Sequence, residues 1–568
     1  MPLLVMLLAL PLVPALDLLA QHRPGRPGDP GGGGGGFEDP GGAVADPGAP
    51  PGGIGGPAGP GGLPGRPGPG RPGTDPRPAV PPVCANGESA LSAAEADSLV
   101  RAAAGALDEA TMTVAVVDRL GRPLAVYRKG GPVLDDADVA VGLARTGAFF
   151  SNDQAPLSSR TVRFISGVHF PPGVARTPNA ALYGIENTNR GCDLQVTFIG
   201  GQAVPPARSV VNGGSCDAND DRGCGSGPVT GKPQPFDTHD GSPVHDPSAV
   251  AVNPGGIPLY RGTAVVGGLG VVAPGAPPDH AEFAALAAAL SVPGLAPLPD
   301  PLPDPGVVFI DGVRLPFVRQ LERPANSAAD GPQLAPLALG PADGACAPEG
   351  WLAGPVAGNG LGVAEVDQLV NQSIDAAHRT RALIRLPNAA GDRARMVIAV
   401  SDLDGEIVGL YRMADATVFS IDVAVAKARN VVWFSQGNLP GVAPGVAVTN
   451  RTIGFAAQPL YPAGIDGTPP GPFFDLFRRD WANPCAEGFD PASPNRNGVV
   501  FFPGSIPLYR NGRLVGGLGI SGDGVEQDDY VSFLGAAGFL PPEDRWADRV
   551  KLRGVRLPFL RFPRNPEG

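Results

Sequence analysis

The stretch GGIPLYRGTAVVGGLGV, residues 255–271, returns as GSIPLYRNGRLVGGLGI at residues 504–520, without a gap and at a constant offset of 249. Each version reads as two apolar strands around a tight turn, a β-hairpin. Upstream, VVDRLGRPLAVYR (116–128) returns as VSDLDGEIVGLYR (400–412) at an offset of 284, again as hairpins, turning at Gly121 and Gly405. Two further blocks follow. DVAVGLARTGAFF (138–150) answers to DVAVAKARNVVWF (422–434), and SSRTVRFISGVHFPPGV (158–174) to TNRTIGFAAQPLYPAGI (449–465). A repeat of this length marks a duplicated domain, not a solenoid unit.

An amphipathic helix leads each copy. In copy one Ser92 and Glu95 form a capping box, and Leu99, Val100, Ala103 and Leu107 share one face. Copy two repeats the stripe with Val366, Leu369, Val370 and Ile374. Closing helices start near Asp279 and Asp528, and each copy ends on VRLPF, at 313–317 and 555–559. The order α-β-β-α-loop-β-β-α predicts an α+β fold: two tandem copies of a mainly antiparallel sheet with packed helices. Copy one spans residues 84–320, a linker 321–345, and copy two 346–568. Copy one carries a longer insertion, since the offset falls from 284 to 249.

The 83 glycines and 69 prolines are far above ordinary usage and crowd the N-terminal region. Residues 21–83 have too little apolar surface to offset ordering entropy, and read as a disordered Gly/Pro-rich tether. The Gly-X-Y period fails there, which excludes collagen. A net charge of −12, with scattered Lys and Arg, argues against nucleic acid. The apolar run MPLLVMLLALPLVPALDLLA (1–20) is too short and Pro-interrupted for a membrane span. It reads as a signal peptide, although it lacks a basic residue. The mature chain is thus expected to be periplasmic or secreted, with no integral membrane segment. Six cysteines fit an oxidising compartment. The expected pairs are Cys346 with Cys485, Cys84 with Cys224, and Cys192 with Cys216, out of 15 pairings that six cysteines allow.

The series Asp402, Gly405, Tyr411-Arg412-Met413, Lys427-Ala428, Gly516-Gly517-Leu518-Gly519-Ile520-Ser521-Gly522 and Glu526-Gln527-Asp528 resembles the GlcG/HbpS-like family of haem-binding proteins. Copy one keeps Asp118, Gly121, Tyr127-Arg128, Gly267-Gly268-Leu269-Gly270 and Asp279. It departs at Leu143, where the pattern favours Lys, and at Ala273, where it favours the Ser of a Ser-Gly pair. The resemblance implies a small sheet-and-helix domain that oligomerises, haem as cofactor, and here an internal pseudo-dimer of the two copies that can assemble further.

No GxSxG, HExxH or Ser-His-Asp order is present, so the reading leans away from an enzyme. The Gly-Gly-Leu-Gly stretches are expected to mark close packing on a strand, not a phosphate cradle. GPVTGKP near Lys232 misses the P-loop spacing, and Asp217–Asp221 misses the later calcium ligands. Haem iron takes His, Tyr, Met or Cys. His169 is copy-specific, facing Leu460 in the repeat, and is the expected iron ligand; Tyr183, Tyr260 and Met413 also qualify. Phe164 and Phe170 would cover a porphyrin face, and Arg160 or Arg163 would meet a propionate. In copy two Tyr411, Met413 and Lys427 carry the family pattern. Arg128 and Arg412 could meet a propionate, but are expected to pair with the local Asp118 and Asp402. His239 and His245 flank an acidic loop; His280 and His378 read as surface or packing residues. The sequence reading is an exported protein that binds haem or a related flat anionic cofactor. An enzyme acting on a small metabolite and a structural module of the cell envelope are the alternatives.

Overall fold

The computed structural model describes Cys84 and residues 87–568 apart from 131–134, 166–168, 172–173, 175, 178–181, 183–253, 303–305, 332–333, 340–342, 386–392, 463–464, 483–493 and 496–497. The expected signal peptide and tether, Tyr183, His239, His245, Cys192, Cys216, Cys224 and Cys485 lie outside the described residues.

In the N-terminal half, helix α1 (Ala93–Gly105) is followed by β1 (Met112–Asp118), β2 (Pro123–Lys129), α2 (Asp135–Phe150) and α3 (Ser159–Ile165). Then come β3 (Gly256–Arg261), β4 (Ala264–Val272), α4 (Pro278–Ser291) and a small hairpin, β5 (Phe309–Ile310) with β6 (Val313–Arg314). Strands β7 (Leu334–Leu339) and β8 (Gly350–Ala353) lie between the halves. The C-terminal half runs α5 (Val363–Arg379), β9 (Val397–Ser401), β10 (Ile407–Arg412), α6 (Ser420–Trp433), α7 (Asn450–Phe455), α8 (Phe474–Ala482), β11 (Ser505–Arg510), β12 (Arg513–Ser521) and α9 (Val525–Gly535). It closes on the hairpin β13 (Lys551–Leu552) with β14 (Val555–Arg556).

The two five-stranded sheets have matching orders, β3-β4-β1-β2-β7 and β11-β12-β9-β10-β8, and every neighbouring pair is antiparallel. The quoted hairpins share a register. Ile257 faces Leu269 as Ile506 faces Leu518, and each pair slips after its Leu, at Leu259 and Leu508. The expected α+β architecture is therefore what forms.

β1 is buried along its whole length, because helices cover both faces of its sheet. Val114 and Val116 pack with α1 and α4, while Ala115 and Val117 face the α2 side, the alternation a strand imposes. The capping box at Ser92 and Glu95 starts α1 as expected. The glycines act at the strand–helix contact. A Cβ on Gly268 or Gly270 would run into the carbonyls of Ala144 and Ala140 on α2; one on Gly517 or Gly519 would meet those of Ala428 and Ala424 on α6. Gly-Gly-Leu-Gly is close packing, with Leu269 and Leu518 filling the other face.

The segment read as a linker is part of the fold: β7 pairs with β2 from Ala125↔Leu339 to Lys129↔Leu334. The disulfide expectation fails at the same place. Cys346 bonds Cys84, not Cys485, and so Cys84 is not available to Cys224. Sequence spacing put each lead cysteine within its own copy; the chain instead brings both lead segments together.

Candidate functional site

The repeat draws attention to what the halves do not share. On the inner face of α6, Lys427 is fully buried; the corresponding place on α2 holds the buried Leu143. Lys427 Nζ donates to Ile520 O (2.8 Å) and Asp528 Oδ2 (3.0 Å), and lies 4.6 Å from the Phe502 ring centroid. A buried ammonium needs this full set of partners. Burial pushes its pKa down, against the pull of Asp528. Burial likewise pushes the Asp528 carboxyl up, to about 7, against the pull of Lys427.

Around this pair lie two more buried carboxylates. Asp529 takes Arg451 Nε at 2.5 Å and the N–H groups of Gly504 (3.0 Å) and Arg561 (3.1 Å). Asp523 Oδ1 accepts from Leu383 N (2.5 Å) and Gly524 N (2.8 Å), whereas its buried Oδ2 has no hydrogen-bond partner among the described residues. The backbone N–H of Asp523 in turn donates to Asp528 Oδ1 (3.3 Å). Burial raises the pKa of both carboxyls. The β12–α9 turn thus gathers three acids and one lysine in a dry setting, where protonation states are easily displaced. The N-terminal half replaces this arrangement. Arg160 on α3 binds Asp279 (2.8 Å) and Glu282 (2.7 Å) on α4, and Glu282 also receives the N–H of Arg319 (2.8 Å).

The residues singled out from sequence fall in separate places. Phe164 and Phe170 meet edge-on, centroids 5.8 Å apart. Arg160 is held by its two carboxylates, and Arg163 is buried on α3. His169 faces Thr177 O with Nδ1 (2.9 Å) and Asp466 Oδ1 of the other half with Nε2 (3.1 Å). Met413 Sδ accepts from Met396 N (3.4 Å). Tyr411 packs edge-on against Trp351 at 5.5 Å, and its hydroxyl has no protein partner among the described residues. Tyr260 is buried and donates to Asn152 O (2.8 Å). Asp118 takes Arg122 (2.6 Å). The expected Arg412–Asp402 pair does not form. Asp402 is filled by the N–H groups of Asn359, Asp404 and Glu406, and Arg412 donates to Ala416 O (2.9 Å) and Pro348 O (3.1 Å). Burial lowers the Arg412 pKa to about 10.

Sequence reading missed Asp523, Asp528, Asp529 and Arg451 as a cluster. Asp528 stood in the quoted Glu526-Gln527-Asp528 series with Asp523 and Asp529 beside it, and the arginine in the TNRT block; only their convergence was invisible. It also missed the junction between halves. There Phe150 stacks on Phe419 at 4.3 Å, Val418 N donates to Phe149 O (3.1 Å), and Asp415 Oδ1 accepts from Asp153 N (3.0 Å).

Residues 375–537 match the family model described as haem degrading protein HbpS-like. An uncharacterized 15.0 kDa protein of Citrobacter freundii is 27% identical over 140 residues, 24% of this chain and 70% of that protein. Among solved structures, a PduOC:heme complex is 23% identical, covering 32% of this chain and 94% of its own, with a TM-score of 0.22. Klebsiella pneumoniae protein ORFY is 21% identical, covering 32% and 90%, with a TM-score of 0.21. A double mutant of Streptomyces reticuli HbpS is 20% identical, covering 32% and 88%, with a TM-score of 0.19.

Proposed function

We propose that this protein binds haem or a related flat, anionic cofactor, and that its C-terminal half is the binding half. The observation that carries this reading is the family match over residues 375–537, the span that holds Lys427 and Asp528 and excludes Leu143, which stands where Lys427 does in the repeat. The donor set of this half fits an iron porphyrin. Tyr411 presents a phenol oxygen that no described group occupies, beside the partly exposed ring of Trp351. His169 fits less well, since both its nitrogens face protein acceptors. Bound haem would supply redox and oxygen chemistry; the chain's own part is to hold it and shield one face.

The matching strand orders support a tandem duplication, and the Phe150–Phe419 junction supports an internal pseudo-dimer. The Cys84–Cys346 bond supports export to an oxidising compartment. Among the described residues no helix is long and apolar enough to cross a membrane.

The test is titration of the purified full chain with haemin, read in the Soret region. We expect saturable binding, a spectrum altered by Tyr411→Phe, and one unchanged by His169→Ala. No spectral change in the parent chain would sink the reading. A Soret band that decays with a reductant and oxygen faster than free haem would add turnover to binding.

A further inference from the structure

The structure assigns β7 (Leu334–Leu339) and residues 343–345 as the first strand and the approach to the first helix of the N-terminal domain, carried after its last helix instead of before its first. In the C-terminal half the order is direct. β8 pairs with the outer edge of β10, the chain turns through Gly358 and Asn359, and α5 begins at Val363. The N-terminal half has the same parts in another order. β7 pairs with the outer edge of β2, and the register slips between Val126 and Tyr127 as it does between Leu410 and Tyr411. Leu339-Gly340-Pro341-Ala342-Asp343-Gly344 matches Ala353-Gly354-Pro355-Val356-Ala357-Gly358 in both glycines and the proline, at an offset of 14.

The contacts follow the same offset. Ala345 N donates to Asp118 Oδ2 at 2.9 Å, and Asn359 N donates to Asp402 Oδ2 at 2.9 Å. Gly344 N donates to Leu91 O (2.7 Å) and Gly358 N to Leu361 O (2.9 Å); Leu91 and Leu361 each stand two residues before their helix. A Cβ on Gly344 would meet Asp118 and Leu124, and one on Gly358 their repeat counterparts Asp402 and Val408.

One difference remains. From Gly358 to Leu361 the backbone is continuous, but Gly344 and Leu91 belong to chain segments far apart in sequence. The Cys84–Cys346 bond closes that gap, one residue beyond Ala345. It does for the N-terminal sheet what three peptide bonds do for the C-terminal one. Apart from its ladder with β2, the contact of Leu334 with the core and the N–H groups of Gly344 and Ala345, β7 is an open edge strand. Ala335 and Pro336 are exposed, and Pro336 brings no N–H to the ladder. The bond is therefore a lock on one edge of one sheet: without it β7 leaves β2, while β8 stays on β10.

The experiment is hydrogen exchange by mass spectrometry on the full chain, comparing the parent with Cys84→Ser/Cys346→Ser. We expect amides in 123–129 and 334–339 to exchange at least tenfold faster, with 350–353 and 407–412 unchanged. Equal acceleration in both sheets, or none in either, overturns the proposal. Should the double variant not fold, the folded parent is treated with excess dithiothreitol. Each disulfide takes two electrons and two protons from the dithiol, which closes to its own cyclic disulfide. The same two peptide pairs are then compared with the same criteria. Haem takes no part, so the outcome is independent of the binding reading.

Discussion

At the scale of single residues, the Lys427–Asp528 pair is where the halves diverge most in chemistry. Asp528 titrates near 7 in the folded chain, against about 4 for an unfolded aspartate. Between those values the folded state holds a proton that the unfolded state releases. This group's contribution to stability is therefore lost as pH rises from about 4 to 7, by up to about 1.4 kcal/mol per unit. Urea unfolding at pH 5 and pH 8 should show the parent's advantage over Asp528→Asn to be larger at pH 5. An advantage larger at pH 8 would reverse the sign and refute the assignment. Lys427→Leu, which installs the residue of the other half, should cost about 3–5 kcal/mol by leaving Asp528 buried without its partner. Adding Asp528→Asn should recover part of that loss; a strictly additive double variant would show that the two do not couple. Lys427 was legible in the sequence because the repeat put Leu143 opposite it. Asp523 and Arg451 were not, because nothing in a linear pattern says that a turn after β12 and a short helix some 70 residues earlier share one buried volume.

At the scale of elements, the repeated hairpin decided the fold because its glycines are positional. Gly519 has the Ala424 carbonyl where its side chain would go, so no rotamer relieves the clash. Gly519→Val should cost at least about 1–3 kcal/mol through displacement of α6. Gly331→Ala is the control. Nothing lies within 4 Å of its Cβ, and its φ is not positive, so a neutral or slightly stabilising result is expected, within about 1 kcal/mol. Comparable losses at both sites would mean that glycine entropy, not helix–sheet contact, sets the effect. Strand order, capping box and close packing were thus readable from periodicity and residue type. The disulfide was not, because the elements beside it are out of order: Cys346 follows β7, a strand that belongs to the sheet of the N-terminal half. Its partner in space is Cys84, in the segment before α1, which no spacing rule connects to residue 346.

At the scale of the whole molecule, the question is whether the halves are two folding units or one. Their sheets have separate strands and each half has a buried cluster of its own, yet a third cluster spans both. One contiguous cluster of buried side chains takes Val117, Ala144, Phe149 and Phe150 from the first half and Val418, Phe419, Val423 and Ile398 from the second. Polar contacts follow the same seam. Arg385 holds Asp415 (2.6 Å), Asp415 accepts from Asp153 N, and Asn152 Nδ2 reaches Ile384 O (3.4 Å). An interface built this way has the character of a core, and loss of one half would leave the other with an exposed apolar face. Differential scanning calorimetry of the full chain should therefore give a single endotherm with van't Hoff and calorimetric enthalpies in agreement. Phe419→Ala removes the ring stacked on Phe150 and should cost about 3–5 kcal/mol. Because the loss falls on the seam, it should also split the endotherm into two. Two resolved transitions in the parent chain would show that the shared cluster does not couple the halves. A single transition shifted to lower temperature in Phe419→Ala would place the coupling in the polar contacts instead.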